Sequence, residues 1–220
     1  DGERVITSEH ALRLERVPSS VVVLGGGVIG CEFASVWRSF GAEVTIVEAL
    51  PRLVAAEDEA SSKVLERTFK KRGIKARTGT PFQSVETTDT GVAVTLEGGD
   101  VVEAELLLVA VGRGPVTEGL GFDEQGVEME RGFVRTDERC RTNLEGVYAV
   151  GDIVPGLQLA HRGFQQGIFV AEEIAGLEPT PIDETGIPRV TYSHPEVASV
   201  GLDEATARAT YGDDQVETLT

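Results

Sequence analysis

The order of apolar and polar residues along the chain predicts strands and helices in alternation. Two short apolar runs, 21–24 and 44–48, are typical of buried strands, and the stretch 28–40 between them has apolar residues at helical spacing. The residues predicted to face the sheet are Ile29, Phe33, Val36, Trp37 and Phe40. A second helix is predicted at 58–72 and a short third strand at 74–77. This alternation indicates an α/β fold with a parallel sheet.

The helical period ends near residue 80. Between Val92 and Leu96 apolar residues alternate with polar ones, which predicts a half-exposed antiparallel strand. Turn residues at 89–91 and 98–100 place that strand in a meander of hairpins. The continuous apolar run 106–111 is typical of a central strand of a parallel sheet.

The second half of the chain repeats the alternation on a smaller scale. A strand is predicted at 146–152 and a helix at 161–175. The apolar face of this helix consists of Phe164, Ile168, Ala171 and Ile174. The proline-rich, acidic stretch 179–188 is a predicted linker, 187–200 is strand-like, and 215–220 reads as the beginning of a further strand.

The first predicted strand leads into a G-x-G-x-x-G turn. Gly25 allows the tight turn, Gly27 removes a side chain where backbone must approach a pyrophosphate, and Gly30 lets the helix pack on the sheet. Free N–H groups and the dipole at the helix start favour phosphate. Glu48 ends the second strand 18 residues beyond Gly30, near the spacing expected of an acid that accepts from ribose hydroxyls.

A carboxylate at position 48 repels a 2′-phosphate, so the pattern predicts NAD rather than NADP. The alternative interpretation is a glycine-rich turn in an α/β sheet that binds no ligand. The motif alone would be weak, but strand, turn, helix, strand and acid occur together in the required order.

Composition narrows the possible partners. The 220 residues carry a net charge of −17, which argues against nucleic acid and anionic membranes. No apolar run of about 18 residues predicts a membrane span, and the default location is cytoplasmic. Cys31 and Cys140 form neither a C-x-x-C pair nor a metal-ligand pattern, so no metal is predicted.

Four segments in this order resemble the flavin-dependent pyridine nucleotide–disulfide oxidoreductases, and within them the members that oxidise protein-bound dihydrolipoamide. They are 25–33, 109–113, 142–152 and 191–201. The resemblance implies an α/β architecture: a Rossmann-like NAD-binding domain with an antiparallel meander, part of an FAD-binding domain, and the start of an α+β dimerisation domain.

The implied boundaries are a connector at 1–20, the NAD-binding domain at 21–115, the returning part of the FAD-binding domain at 116–182, and the dimerisation domain from 187 to 220. The chain starts without Met and its last residues are typical of an unfinished strand, so we expect an internal fragment.

The resemblance assigns the NAD site residue by residue. The residues implied to line it are Gly25, Gly26, Gly27, Val28, Ile29, Gly30 and Glu32. Glu48 would bind the adenosine ribose, the backbone of Val85 would contact the adenine, and Gly112 would lie beside the NAD. Glu32 would lie near the contact of nicotinamide and flavin, although an acid early in a helix is equally explained by the dipole.

The FAD site is implied by two short segments. Asp152 matches the acid that accepts a hydrogen bond from the ribityl chain. Leu159, Ala160 and His161 match a segment whose backbone faces the pyrimidine edge of the flavin at a helix N-terminus. The implied cofactors are therefore NAD and FAD.

Departures from the family pattern are equally informative. An FAD-binding G-x-G-x-x-G and a C-x-x-x-x-C disulfide upstream of the NAD domain are not in this sequence. His194–Pro195 matches the opening strand of the interface domain rather than the family's acid–base His-Pro pair, so no catalytic residue is predicted here. The implied partners of the parent enzyme are a second copy and the lipoyl domain of a 2-oxoacid dehydrogenase complex. Alternatives are a mercuric reductase, an NADH oxidase, or a non-catalytic NAD-binding module.

Overall fold

The computed structural model describes residues 2–219. Asp1, the first residue of the predicted connector, and Thr220, the last residue of the predicted dimerisation domain, lie outside the described residues. The chain forms two compact units. One consists of the segment up to Gly112 together with the segment from Pro188 onward, and the other is Arg113–Ile187.

Five parallel strands form the centre of the first unit. Its elements up to Gly112 are β1 (Val5–Thr7), α1 (Ser8–Ala11), β2 (Ser20–Leu24), α2 (Val28–Ser39), β3 (Glu43–Val47), α3 (Glu59–Arg72), β4 (Lys75–Arg77), β5 (Phe82–Thr87), β6 (Val92–Leu96), β7 (Val101–Ala104) and β8 (Leu106–Val109). The parallel sheet has the order β1-β8-β2-β3-β4, and β5, β6 and β7 form a separate antiparallel sheet. The predicted α/β fold with an antiparallel meander is confirmed.

The parallel sheet is buried on both faces, which explains its continuous apolar strands. One face packs against α2 and α3, where Trp37, Leu65 and Phe69 cover alternate strand residues such as Val23 and Ile46. The other face packs against the meander. That second core consists of Val22, Val47, Val92, Val94, Leu96 and Leu107.

Two predictions about this unit are wrong. The polar segment 1–20, predicted as a connector, contributes β1, which pairs in parallel with β8, and the short helix α1. A three-residue strand is too short to show a period, so the pattern could not reveal it. On α2, Val36 and Phe40 are 44% and 66% exposed, because the small residues of the helix pack against the sheet instead. The buried face is Gly30, Cys31, Ala34, Ser35 and Trp37.

A half-buried acid fixes the start of β8 to the chain before β2. Glu105 pairs with Arg16 and accepts hydrogen bonds from the N–H and Oγ of Ser19, both at 2.8 Å. The hydrogen bond from Arg16, followed by those from Ser19, lowers the pKa of Glu105 from its ordinary 4.5 to about 2.

We expect Glu105→Gln to reduce the free energy of unfolding by about 1 kcal/mol at neutral pH, a modest value because Arg16 is largely exposed and water screens the pair. A lowered pKa contributes stability above the unfolded value that is lost as pH falls through the folded value. The difference between wild type and variant should therefore shrink between about pH 4.5 and 2. Urea denaturation across this range measures it; a constant difference would contradict the assignment.

The second unit has a small core and one long helix. Its elements are β9 (Met129–Glu130), β10 (Phe133–Val134), a 3-10 turn (Gly151–Ile153), α4 (Ala160–Ile174) and a second 3-10 turn (Glu184–Gly186). Val134, Ala149 and Val154 form the buried cluster. Near the end of α4, Glu173 pairs with Arg139 and Arg141, and these partners lower its pKa to about 2, Arg139 having the larger effect.

Two predictions about the second unit are wrong. In place of the predicted strand 146–152 there is a single β-bridge, between Arg141 and Tyr148. Among the described residues, this segment forms no hydrogen-bonded strand pair of greater length. On α4, Phe164, Ile168 and Ile174 are exposed, whereas Arg162, Gln166 and Phe169 are buried. Arg162 and Gln166 tolerate burial because each has hydrogen-bonding partners.

The segment after Pro188 forms a hairpin of β11 (Arg189–Thr191) and β12 (Val197–Ser199), followed by α5 (Glu204–Tyr211). Asp213–Gln215 forms a 3-10 turn, and 216–219 are not in a strand, so the predicted final strand is wrong for the described residues. Gly212, with a φ of 92°, terminates α5 and redirects the backbone into this turn. No helix within 2–219 combines the length and apolar character that crossing a membrane requires.

Candidate dinucleotide site

The glycine turn lies between the end of β2 and the start of α2. Gly25 has a φ of 111°, and a Cβ there would overlap the carbonyl oxygen of Ala110. A Cβ on Gly30 would overlap the carbonyl oxygen of Gly25. Gly27 differs from both, because a Cβ built on it meets nothing within 4 Å. Gly25 and Gly30 are therefore required by the fold, whereas the space above Gly27 is open.

The N-terminus of α2 is available to an anion. Gly27 is the N-cap and no side chain caps the helix, so the N–H groups of Val28 and Ile29 in the first turn have no partner within the helix. No acid lies in this first turn. The helix dipole adds positive potential at the same place, which suits a phosphate group.

The Glu48 carboxylate lies against this turn. It follows β3 directly, and its Oε2 accepts a hydrogen bond from the N–H of Gly26 at 2.5 Å. Its Oε1 accepts from the N–H of Leu50 at 2.7 Å. A carboxylate has about four acceptor positions, so two remain for further donors such as ribose hydroxyls. The structure thus brings together the glycine turn and the acid that sequence spacing connected.

The other predicted NAD residues lie on different elements of the first unit. Gly112 follows the end of β8, has a φ of 135° and has open space above it. Val85 lies in β5 opposite Val94 and packs at the edge of the second core. Glu32 accepts a hydrogen bond from the N–H of Tyr192 at 2.8 Å, so its carboxylate also holds the hairpin that follows Pro188. Their roles toward a cofactor stay predictions.

In the second unit, the predicted FAD residues lie next to one another. Asp152 is exposed in the 3-10 turn Gly151–Ile153, and Leu159 is the N-cap of α4, whose first residues are Ala160 and His161. The turn packs directly on the helix: a Cβ on Gly163 would lie 3.4 Å from the Cα of Gly151, at van der Waals contact. An exposed acid beside an uncapped helix N-terminus is consistent with the predicted flavin wall.

Sequence reasoning missed the loop after Glu48. Leu53 is fully buried and its Cδ2 packs above Gly26, where a Cβ on the glycine would come within 2.6 Å. The N–H of Val54 donates to the carbonyl oxygen of Gly26 at 2.8 Å. Arg52 bonds to the carbonyl oxygen of Glu57 rather than to Glu48. The loop sequence is apolar over most of its length, so nothing local distinguished Leu53 and Val54 as the residues that pack against the turn.

Cys31 is buried at the base of the same turn. Its Sγ donates to the carbonyl oxygen of Gly26 at 3.3 Å. Burial, and then the nearby Glu48 carboxylate, raises the pKa of Cys31 to about 12. The thiolate is the reactive form of cysteine. Among residues 2–219, no group of three or more His, Cys, Asp and Glu side chains is arranged to hold a metal ion.

We expect Cys31 to be nearly inert toward a disulfide reagent such as DTNB at pH 8, where about one thiol in ten thousand is ionised at this pKa. Identification of the labelled peptides by mass spectrometry separates Cys31 from Cys140. The same reagent in denaturant should label both residues rapidly. Labelling of Cys31 in the folded protein at the rate of a free thiol would contradict the assignment.

Comparisons with known proteins agree with this geometry. The family model described as pyridine nucleotide-disulphide oxidoreductase matches residues 1–167, and the model of the dimerisation domain of that family matches 187–220. The dihydrolipoyl dehydrogenase of Chlorobaculum tepidum is 46% identical over 211 residues, with 94% of this chain and 45% of the relative covered. That of Bacillus subtilis is 41% identical, covering 95% and 45%.

Solved structures show the same relationship. LpdA from Mycobacterium tuberculosis superposes with a TM-score of 0.89 at 32% identity, covering 96% of this chain and 46% of the other. The HOCl-induced flavoprotein disulfide reductase RclA from Escherichia coli, as its Cu(II) complex, gives 0.88 at 28% identity, covering 95% and 48%. The chain spans about half the length of the curated relatives it matches. Because the family model matches well over half of its residues, the chain belongs to the pyridine nucleotide-disulphide oxidoreductase family.

Proposed function

We propose that this chain is the NAD-holding part of a dihydrolipoyl dehydrogenase. The observation that carries the proposal is the Glu48 carboxylate, bound to the N–H of Gly26 beside the uncapped start of α2. Residues 21–115 would be the NAD-binding domain, 116–182 part of the FAD-binding domain and 187–220 part of the dimerisation domain. The names of the curated relatives support the activity.

The parent enzyme would oxidise protein-bound dihydrolipoamide to lipoamide and reduce NAD⁺ to NADH, releasing a proton. When bound, FAD and NAD supply the electron and hydride transfer. The residues of this chain would bind and orient them. The N–H groups at the start of α2 hold the pyrophosphate, Glu48 accepts from the ribose hydroxyls, and Gly112 leaves room beside the nucleotide.

The second unit would supply one wall of the flavin site. Asp152 would accept a hydrogen bond from the ribityl chain, and the N-terminus of α4 at Leu159, Ala160 and His161 would face the pyrimidine edge. A second copy of the enzyme and the lipoyl domain of a 2-oxoacid dehydrogenase complex would be the partners. The match of 187–220 to a dimerisation domain supports the homodimer.

Calorimetric titration with NAD and NADP tests the nucleotide assignment. NAD should bind more tightly, because the Glu48 carboxylate repels a 2′-phosphate. Tighter binding of NADP would overturn the assignment. Absence of binding by either nucleotide would overturn the proposed function of the first unit.

An NADH-formation assay with added FAD and dihydrolipoamide tests whether this chain contributes nucleotide binding without a redox disulfide. We expect no turnover by the 220-residue chain, because its two cysteines are not in a redox pair and thiol–disulfide exchange needs an accessible thiolate. A Cys31→Ser variant serves as control. Turnover that disappears in this variant would identify Cys31 as a redox centre and refute the assignment.

A further inference from the structure

The loop between Glu48 and α3 contains a strained residue. Val54 has a φ of 42°, in the left-handed region that β-branched residues rarely adopt, and it is 2% exposed. Such a conformation persists only where surrounding contacts impose it, and it is found frequently beside ligand sites. The contacts of this loop therefore show what the strain maintains.

Helix α3 holds the loop in place. Ser62, which is fully buried, donates from its Oγ to the carbonyl oxygen of Leu53 at 2.7 Å. The N–H of Leu53 donates to the Oε1 of Glu66 at 2.9 Å. Arg52 donates to the same Ser62 Oγ at 2.7 Å. Glu66 thus fixes the peptide group before Leu53, and Ser62, itself held by Arg52, fixes the peptide group after it. The second of these peptide groups contains the N–H of Val54, so the direction of that N–H is fixed as well.

That N–H points at the phosphate turn. Val54 donates to the carbonyl oxygen of Gly26 at 2.8 Å, and the N–H of Gly26 donates to Glu48. In a planar trans peptide, a C=O group and the following N–H point in opposite directions. Because the carbonyl of Gly26 is held toward the loop, the N–H of Gly27 is turned away from the loop.

We propose that Val54 is a positioning residue for the pyrophosphate of the dinucleotide, acting through the carbonyl of Gly26. The inference rests on the proposed function, since it requires that a phosphate bind at this turn. The same carbonyl also accepts from the Sγ of Cys31 at 3.3 Å, but a thiol is a weak donor. Without the Val54 hydrogen bond, the Gly26–Gly27 peptide would therefore rotate more freely, and the N–H of Gly27 would be presented to a phosphate less often.

The test compares the affinities of the intact chain for ADP and adenosine, because their ratio isolates the phosphate contribution. Val54→Pro removes the N–H and excludes a positive φ. Ser62→Ala loosens the loop and leaves the Val54 backbone intact. Val54→Gly keeps the N–H and permits the φ. Thr68→Ala is the matched control, since it removes a hydroxyl of the same helix that donates to the carbonyl oxygen of Val64 within that helix.

We expect Val54→Pro and Ser62→Ala to lower the ADP-to-adenosine affinity ratio by about tenfold, the size of one lost hydrogen bond to a charged group. Val54→Gly and Thr68→Ala should retain the wild-type ratio. A general structural defect would weaken both ligands together. If Val54→Pro does not fold, Ser62→Ala decides. An unchanged ratio in a folded Ser62→Ala overturns the inference, whereas failure of the wild type to bind ADP overturns the proposed function.

Discussion

Replacing Gly30 by alanine is expected to destabilise the first unit strongly, because the new Cβ would overlap the carbonyl oxygen of Gly25. That oxygen belongs to the buried turn that joins β2 to α2, so the overlap is relieved only if the helix moves away from the turn. Alanine gains up to about 1 kcal/mol of helix propensity over glycine, but a backbone overlap in a close-packed interior costs more than about 4 kcal/mol. Circular dichroism during thermal unfolding measures the loss.

The matched control is Gly27→Ala. A Cβ at Gly27 meets no atom within 4 Å, and its φ of −76° is open to every residue. Weaker capping costs about 1 kcal/mol or less. The methyl group would nevertheless occupy the space through which a pyrophosphate approaches, so NAD binding should fall at least about tenfold, or 1.4 kcal/mol. A stable Gly27→Ala that binds NAD as wild type does would show that no phosphate binds at this turn.

This contrast explains why the turn could be predicted from sequence. Gly25 and Gly30 are required by the fold, and Gly27 is required by the ligand. All three requirements involve residues close together in sequence. The strands and helices around them follow equally local rules. The predicted helices at 28–40 and 58–72 are observed at Val28–Ser39 and Glu59–Arg72, the second ending at Gly73 in a left-handed conformation.

Features that depend on distant parts of the chain were not predictable. The spacing of Val36 and Phe40 is helical, but which face of α2 packs on the sheet depends on how closely the backbone can approach, and Gly30 and Ala34 allow the closest approach. β1 forms by pairing with the edge of β8, which lies about a hundred residues further along the chain. The contact of Glu32 with Tyr192 spans 160 residues and has no local signal.

Glu48→Gln is expected to have the largest effect on nucleotide choice. The variant keeps the shape of the side chain but removes its charge, so the ribose hydroxyls lose a charged acceptor. We expect NAD binding to weaken by about 1–3 kcal/mol, roughly 5- to 150-fold. NADP should lose less, because the repulsion of its 2′-phosphate is removed at the same time. The preference for NAD should therefore shrink, which paired calorimetric titrations measure.

The same substitution also changes the turn itself. The Glu48 carboxylate accepts from the N–H groups of Gly26 and Leu50 with its two oxygens. A glutamine side chain has one oxygen and one NH₂ group, so one of these two N–H groups loses its acceptor and faces the NH₂ donor instead. We expect the free energy of unfolding to fall by about 1 kcal/mol, because the glutamine oxygen can stay with Gly26 while the N–H of Leu50, an exposed residue, bonds to water. Glu43→Gln is the control, since Glu43 is an exposed acid at the opposite end of β3 and the charge change is identical. If both variants shift NAD and NADP affinities equally, net charge rather than the contact of Glu48 with the turn sets the preference.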